Sequence, residues 1–176
     1  MSEAPVVRIC VEAAEEKHLA EIAALAAVVW RSHYPGIISP AQIEYMLARM
    51  YDVESMAREL SNGVVYERVV INGKLAGFSS YGPMPNATEL KLHKLYIHPD
   101  MQHRGLGGML LRRVEGAARE QGIQYLVLAV NKQNTQAISA YRKHGFAIRE
   151  SVVADIGGGF AMDDYVMAKR VSPATR

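Results

Sequence analysis

Residues 95–111 read LYIHPDMQHRGLGGMLL: an extended apolar run, a proline-marked turn, a glycine-rich loop and the apolar start of a helix. Gly105, Gly107 and Gly108 crowd this loop. Inside a helix each glycine costs about 1 kcal/mol against alanine, so their density marks a place that needs bare backbone. Met109, Leu110, Val114, Ala117 and Ala118 then recur at three- and four-residue spacing, which predicts an amphipathic helix. Unpaired N–H groups at its start, reinforced by the helix dipole, suit a phosphate or pyrophosphate. A tight turn with close helix packing would use the same glycines. No Gly-Lys-Ser or Gly-Lys-Thr follows, which excludes a P-loop, and the glycines do not complete a GxGxxG dinucleotide fingerprint.

Outward from this loop, the 176 residues fit one domain spanning 1–176, with a core over about 6–170 and a short disordered tail from Pro173. Apolar residues at 49% and charged residues at 22% are globular values. A formal charge of +2 with no long basic block gives no argument for nucleic acid. The lone Cys10 excludes an intrachain disulfide framework and reads as a small buried hydrophobe. Neither a signal-peptide pattern nor a membrane-length apolar run occurs, so a cytoplasmic protein without a membrane partner is expected.

Residues 6–11 read as a first strand. Leu19, Ile22, Ala23, Ala26, Val29 and Trp30 form one helical stripe over 15–31. Ser39 and Pro40 mark the cap and first turn of a second helix reaching about Met50, and Asp52 with Ser55 starts a third. Val64–Ile71 and Leu75–Tyr81 flank Asn72-Gly73, a hairpin signal. In the strand predicted from Glu89 to Ile97, alternation sets Lys91, His93, Leu95 and Ile97 on one face and Leu90, Leu92, Lys94 and Tyr96 on the other. YLVLAV at 125–130 reads as a buried strand completing a βαβ unit. A helix from about Asn134 to Gly145 and two more strands follow, the strands joined through Gly157–Gly159, which reads as a flexible turn.

The string Pro99, Gln102, Arg104, Gly105, Leu106, Gly107 with the leucines at 110 and 111 resembles the acetyl-CoA-binding motif Gln-x-x-Gly-x-Gly of the GNAT superfamily of N-acetyltransferases. His103 stands where that superfamily often has glycine. Downstream, Asn134, Ala137, Tyr141, Lys143, Gly145 and Phe146 resemble its second stretch, Asn-x-x-Ala-x-x-x-Tyr-x-Lys-x-Gly-Phe. YPGIISPAQIEYML, LHKLYIHP and DIGG with DDYVM further resemble the PaiA-type spermidine/spermine N-acetyltransferase branch. The resemblance implies an α/β (α+β) GNAT fold, with a mixed, mostly antiparallel twisted sheet of about seven strands flanked by helices.

It also implies acetyl transfer from acetyl-CoA to a primary amine by direct attack, with a polyamine such as spermidine or spermine as the leading acceptor, no metal, and a homodimer. Another small amine, a protein N-terminus or lysine, or a non-catalytic acyl-CoA-binding module are the competing readings. By resemblance, Tyr141 donates to the CoA sulfur, Asn134 hydrogen-bonds pantetheine, and main chain around Leu95, Tyr96 and Ile97 pairs with its amides. The loop formed by Gln102, His103, Arg104, Gly105, Leu106, Gly107 and Gly108 holds pyrophosphate, with charge from Arg104 and Lys143.

The attacking amine must be neutral, whereas a lysine-like amine has a pKa of about 10.4, so the site must accept a proton. His93 is the first candidate and Glu89 the second, with relayed water as the alternative. Trp30, Tyr34 and Tyr45, with the carboxylates Glu44, Asp52, Asp155, Asp163 and Asp164, fall in regions that the resemblance sets around the acceptor. Whether those carboxylates converge is not legible in the sequence.

Overall fold

A computed structural model describes residues 6–171. Strands β1 (Ile9–Ala13), β2 (Val65–Ile71), β3 (Lys74–Pro83), β4 (Glu89–Ile97), β5 (Tyr125–Asn131), β6 (Ala147–Gly157) and β7 (Phe160–Arg170) form one sheet in the order β1-β2-β3-β4-β5-β7-β6. Every pairing is antiparallel except β4 with β5, which is parallel and bridged by a helix, as that connection requires. Helices α1 (Leu19–His33), α2 (Pro40–Met50) and α3 (Val53–Ser61) cover one face; α4 (Leu106–Glu120) and α5 (Thr135–Lys143) cover the other. The expected mixed sheet and flanking helices are therefore present.

Local chemistry explains the boundaries. The Ser39 and Asp52 side chains accept from the backbone N–H groups of Gln42 and Ser55, capping α2 and α3, and Pro40 occupies the first turn of α2. Asn72 and Gly73, with φ of 50° and 80°, close the β2–β3 hairpin in the left-handed geometry that this dipeptide favours. The first strand lies later than the expected 6–11, and Cys10 on it is exposed rather than buried: β1 is the sheet's outer strand and pairs on one side only. The expected tail from Pro173 lies outside the described residues.

β4 departs from simple alternation, because Ser80 pairs with Lys94 while Tyr81 pairs with Leu92, leaving His93 as an extra residue in a bulge. The bulge exchanges the two faces. Leu90 and Leu92 pack with Leu111 and Val114 of α4, but Tyr96 packs with Trp30, Tyr51 and Phe78 beneath α1, and Leu95 joins the α4 side. The expected common face of Leu90, Leu92, Lys94 and Tyr96 is thus broken at the bulge.

The same strand separates from its parallel neighbour. Rungs join Glu89–Leu92 to Tyr125–Leu128 and then stop. Beyond them, Lys94–Ile97 and Ala129–Asn131 diverge, and a cavity opens between the strand ends.

Candidate active site

The cavity between the parted ends of β4 and β5 measures ≈ 1110 Å³. At one end lies the start of α4, whose cap residue Gly105 has φ 78° and offers no side chain to the first turn. The first helical bond runs from the Met109 N–H to the Gly105 carbonyl, so the N–H groups of Leu106, Gly107 and Gly108 precede any intrahelical acceptor. No acidic residue neutralises that turn. Open donors, a positive helix end and an adjacent cavity fit an anionic phosphate.

His103 also adopts a left-handed conformation, φ 61°, without being glycine. It lines the cavity with Gln102, Gly105, Leu106 and Gly107. The Gln102 amide donates to the Ile97 carbonyl at 3.3 Å, tying the loop to the end of β4. A Cβ at Gly108 would stand 3.3 Å from His144 and 3.4 Å from Arg112, while one at Gly107 would make only ordinary contacts with Leu95 and Ile97 at 3.7 and 3.9 Å. Lys143 and His144 face the cavity; Arg104 does not, and donates instead to the Asp100 carbonyl at 3.4 Å.

In the middle of the cavity, Leu95, Tyr96 and Ile97 of β4 face Ala129, Val130 and Asn131 of β5 across the gap. Asn134 caps α5 by accepting from the Ala137 N–H at 3.3 Å, and the same Oδ1 lies 2.9 Å from His33 Nε2. It therefore ties α5 to α1 while lining the cavity. Tyr141 projects from α5, its ring meeting Phe146 edge-on at 5.6 Å, and no hydrogen bond engages its hydroxyl among the described residues. Burial pushes this phenol up to about 12, so near neutrality it remains a donor.

The far end is aromatic. Trp30 stacks on Tyr34 at 4.2 Å and stands 5.4 Å from Tyr51 and 6.1 Å from Tyr96, and the Tyr34 and Tyr96 hydroxyls meet at 3.4 Å. Burial first of all holds the phenols of Tyr34, Tyr51 and Tyr96 above their ordinary range. Tyr45 also lines the cavity, but its hydroxyl donates to the Ile156 carbonyl at 2.7 Å and accepts from Arg49 at 2.8 Å, making it a strut under the β6–β7 hairpin. The three glycines there all have positive φ, and Cβ atoms at Gly157 and Gly158 would approach Tyr45 to 2.7 and 2.6 Å. The turn read as flexible is held down by an aromatic ring.

His93 sits at the bulge on the cavity wall, with its side chain open to solvent. Desolvation by that wall, then the positive charge of Lys91, pushes its imidazole down to about 4. It is therefore neutral near physiological pH. Glu89 lies at the opposite end of β4, ion-paired to Arg149 at 2.6 Å, and is not among the cavity residues.

Four of the five carboxylates expected around the acceptor serve elsewhere. Glu44 pairs with Arg31, Asp52 caps α3, Asp155 accepts from the Gly157 N–H, and Asp163 pairs with Lys132. Asp164 alone of the five lines the cavity. A second cavity carboxylate, Glu59, escaped the sequence reading: Lys94 Nζ lies 2.6 and 2.9 Å from its two oxygens and 2.6 Å from the Tyr66 hydroxyl. A lysine among the apolar positions of β4 was the available signal for this buried network. Tyr51, also missed, lay in an unpatterned junction between two helices.

The family model for the acetyltransferase (GNAT) family matches residues 11–146. The chain belongs to the GNAT family. Among its relatives, spermidine N(1)-acetyltransferase of Thermoplasma acidophilum is 28% identical over 131 residues, covering 72% of this chain and 80% of that one. The crystal structure of PaiA N-acetyltransferase from Thermoplasma acidophilum, in complex with coenzyme A, superposes with a TM-score of 0.79 at 26% identity, over 93% of this chain and 99% of that one. An L-amino acid N-acyltransferase of Escherichia coli is 31% identical over 80 residues; the match spans 44% of this chain and 46% of that relative. This GNAT chain is thus an acetyltransferase by family. No helix among the described residues is long and apolar enough to cross a membrane, and none of their His, Cys, Asp and Glu side chains form a group suited to a metal ion.

Proposed function

We propose that this GNAT protein transfers the acetyl group of acetyl-CoA to a primary amine of a small molecule by direct attack of the amine on the thioester. The observation that carries the reading is one continuous cavity that joins the open amides of α4 to the free edges of β4 and β5 and to the unengaged Tyr141 hydroxyl. Leu106, Gly107 and Gly108 supply N–H groups for pyrophosphate, with Lys143 nearby. Strand groups at Leu95, Tyr96 and Ile97, with Asn134, hold the pantetheine arm. Acetyl-CoA supplies the activated carbonyl; this chain's residues orient it, exclude water and manage the proton.

Tyr141 donates its proton toward the leaving sulfur, a role supported by a phenol that stays protonated to about 12. His93, open at the cavity wall, carries the amine's proton only in transit, directly or through water, and gives it up to solvent, because an imidazole near 4 holds a proton far more weakly than the amine does. Trp30, Tyr34, Tyr51 and Tyr96 form an aromatic wall against which a cationic or alkyl acceptor packs. Tyr45 supports that wall from beneath the hairpin.

A polyamine is the first acceptor to test, because the relative that matches over most of its length is named a spermidine N(1)-acetyltransferase. The second reading is an amino acid, favoured by Lys91 and Arg49 on the cavity wall, either of which would suit a carboxylate. Thiol release from acetyl-CoA with spermidine and with a panel of amino acids, followed by product mass, separates the two. Val152 and Val153, exposed on the edge strand β6, support the homodimer reading, which a sedimentation mass tests. Dependence on acetyl-CoA supports the cytoplasmic location, to be tested by fractionation.

A further inference from the structure

Two carboxylates line the cavity among the described residues, Glu59 and Asp164. Glu59 is already answered by Lys94 and Tyr66. Other enclosed acids each have a cation on one oxygen: Glu67 of β2 has Arg113 at 2.9 Å, although its Oε2 has no hydrogen-bond partner, and Glu115 of α4 has Lys169 at 2.6 Å. Asp164 differs. It stands on β7 opposite Asn131 of β5 and Val152 of β6, and its Oδ1 is enclosed with no hydrogen-bond partner.

The strand's alternation explains the contrast with its neighbour. Asp163 turns outward to Lys132, while Asp164 turns to the cavity side. Lys91 and Lys132 reach Asp164 through space, but neither comes within ion-pair distance. Burial, then the charge of Asp163, raises the Asp164 carboxyl above its ordinary range, so its charged form lacks compensation. A cation arriving in the cavity would supply it.

The chemistry decides which nitrogen such a cation carries. The attacking amine must be neutral, and a carboxylate beside it would hold it protonated. With the amine's proton already assigned to His93 and water, an anion kept in the cavity suits a nitrogen that stays charged throughout. We infer that Asp164 receives a non-reacting ammonium of the acceptor, so that the protein selects substrates with a second amine rather than lone amines or amino acids. The inference rests on the proposed acetyl transfer and narrows its substrate class. The aromatic side chains of Trp30 and Tyr34, which line the same cavity, suit the alkyl spacer between the two nitrogens.

The test compares putrescine, n-butylamine and an α-amino acid such as methionine as acceptors for the wild type and for Asp164→Asn. The wild type should prefer putrescine to n-butylamine by about tenfold or more in kcat/KM, as a charge-assisted contact implies. Asp164→Asn should erase that preference through a higher KM for putrescine, with n-butylamine and coenzyme A affinity little changed. A preference that survives the substitution, an equal loss with both amines, or a wild type that favours methionine would overturn the inference. Calorimetry with putrescine and the coenzyme A-bound protein keeps the two claims apart. Absence of thiol release with every amine would sink the acetyl-transfer reading, whereas putrescine binding that is absent, or equal in both proteins, would sink the role of Asp164.

Discussion

Lys94 Nζ lies 2.6 and 2.9 Å from the two carboxylate oxygens of Glu59, joining the buried centre of β4 to the last full turn of α3. Desolvation lowers the Lys94 pKa despite that partner, so the pair does not fully offset the cost of burying the ammonium. Removing the carboxylate should therefore be severe. Losing one partner of a buried pair costs roughly 3–5 kcal/mol, and less is expected here because the Glu59 side chain is 34% exposed. Glu59→Gln should lower the denaturation midpoint, while Glu59→Gln combined with Lys94→Met should recover much of the loss. A single variant as stable as the wild type would contradict this.

Tyr141→Phe keeps the ring against Phe146 and removes only the hydroxyl. Turnover with saturating amine should fall by about 100-fold, the lower range for a lost acid catalyst, while coenzyme A affinity stays within error. Steady-state kinetics with calorimetry check both halves.

An imidazole at about 4 gives His93 no titration near neutrality. If it accepts the proton, His93→Ala should lower turnover throughout and remove an acidic limb centred near 4, leaving the profile at neutral pH unchanged in shape. A limb near the ordinary histidine value that vanishes with the substitution would show that the wall does not desolvate the ring as described.

Tyr34, Tyr51 and Tyr66 are buried phenols whose pKa values in the fold are raised above 10.0, first of all by burial. The unfolded chain ionises these groups near 10, the folded chain later. Their stabilising contribution is complete below the unfolded value and is lost as pH rises through the window between the two values, at about 1.4 kcal/mol per pH unit for each phenol. Denaturant melts should thus show stability falling steeply above about pH 10. A flat profile there would contradict the burial of these hydroxyls.

Gly158→Ala would bring a Cβ to 2.6 Å from the Tyr45 ring, at a φ of 63° that side chains adopt at a cost of about 1–2 kcal/mol. The β6–β7 hairpin should lift, lowering the melting temperature and raising the KM for amine more than that for acetyl-CoA. Gly159→Ala, with no atom within 4 Å of its Cβ, should do less.

Much of the fold was legible because its signals are local. Ser39-Pro40, Asp52 with Ser55, and Asn72-Gly73 each act through a neighbouring N–H or a backbone preference, and each occurs where the residues predict it. Gly105 and the apolar stripe after it likewise define α4. The bulge at His93 was not legible, since period-two alternation carries no mark of an inserted residue, and every face assignment across it shifted accordingly. Cys10 misled because an apolar strand pattern does not reveal which strand forms the edge. In the site, Tyr141, Asn134 and the glycine loop follow from two short stretches, whereas Glu59, Lys94 and Tyr51 meet only through tertiary packing.

The most direct test of acetyl transfer is thiol release from acetyl-CoA with spermidine, putrescine and amino acids, with mass spectrometry of the products. The account predicts coenzyme A release matched by a singly acetylated amine, abolished in large part by Tyr141→Phe. Coenzyme A release no faster than hydrolysis with every amine, and no acetylated product, would contradict it.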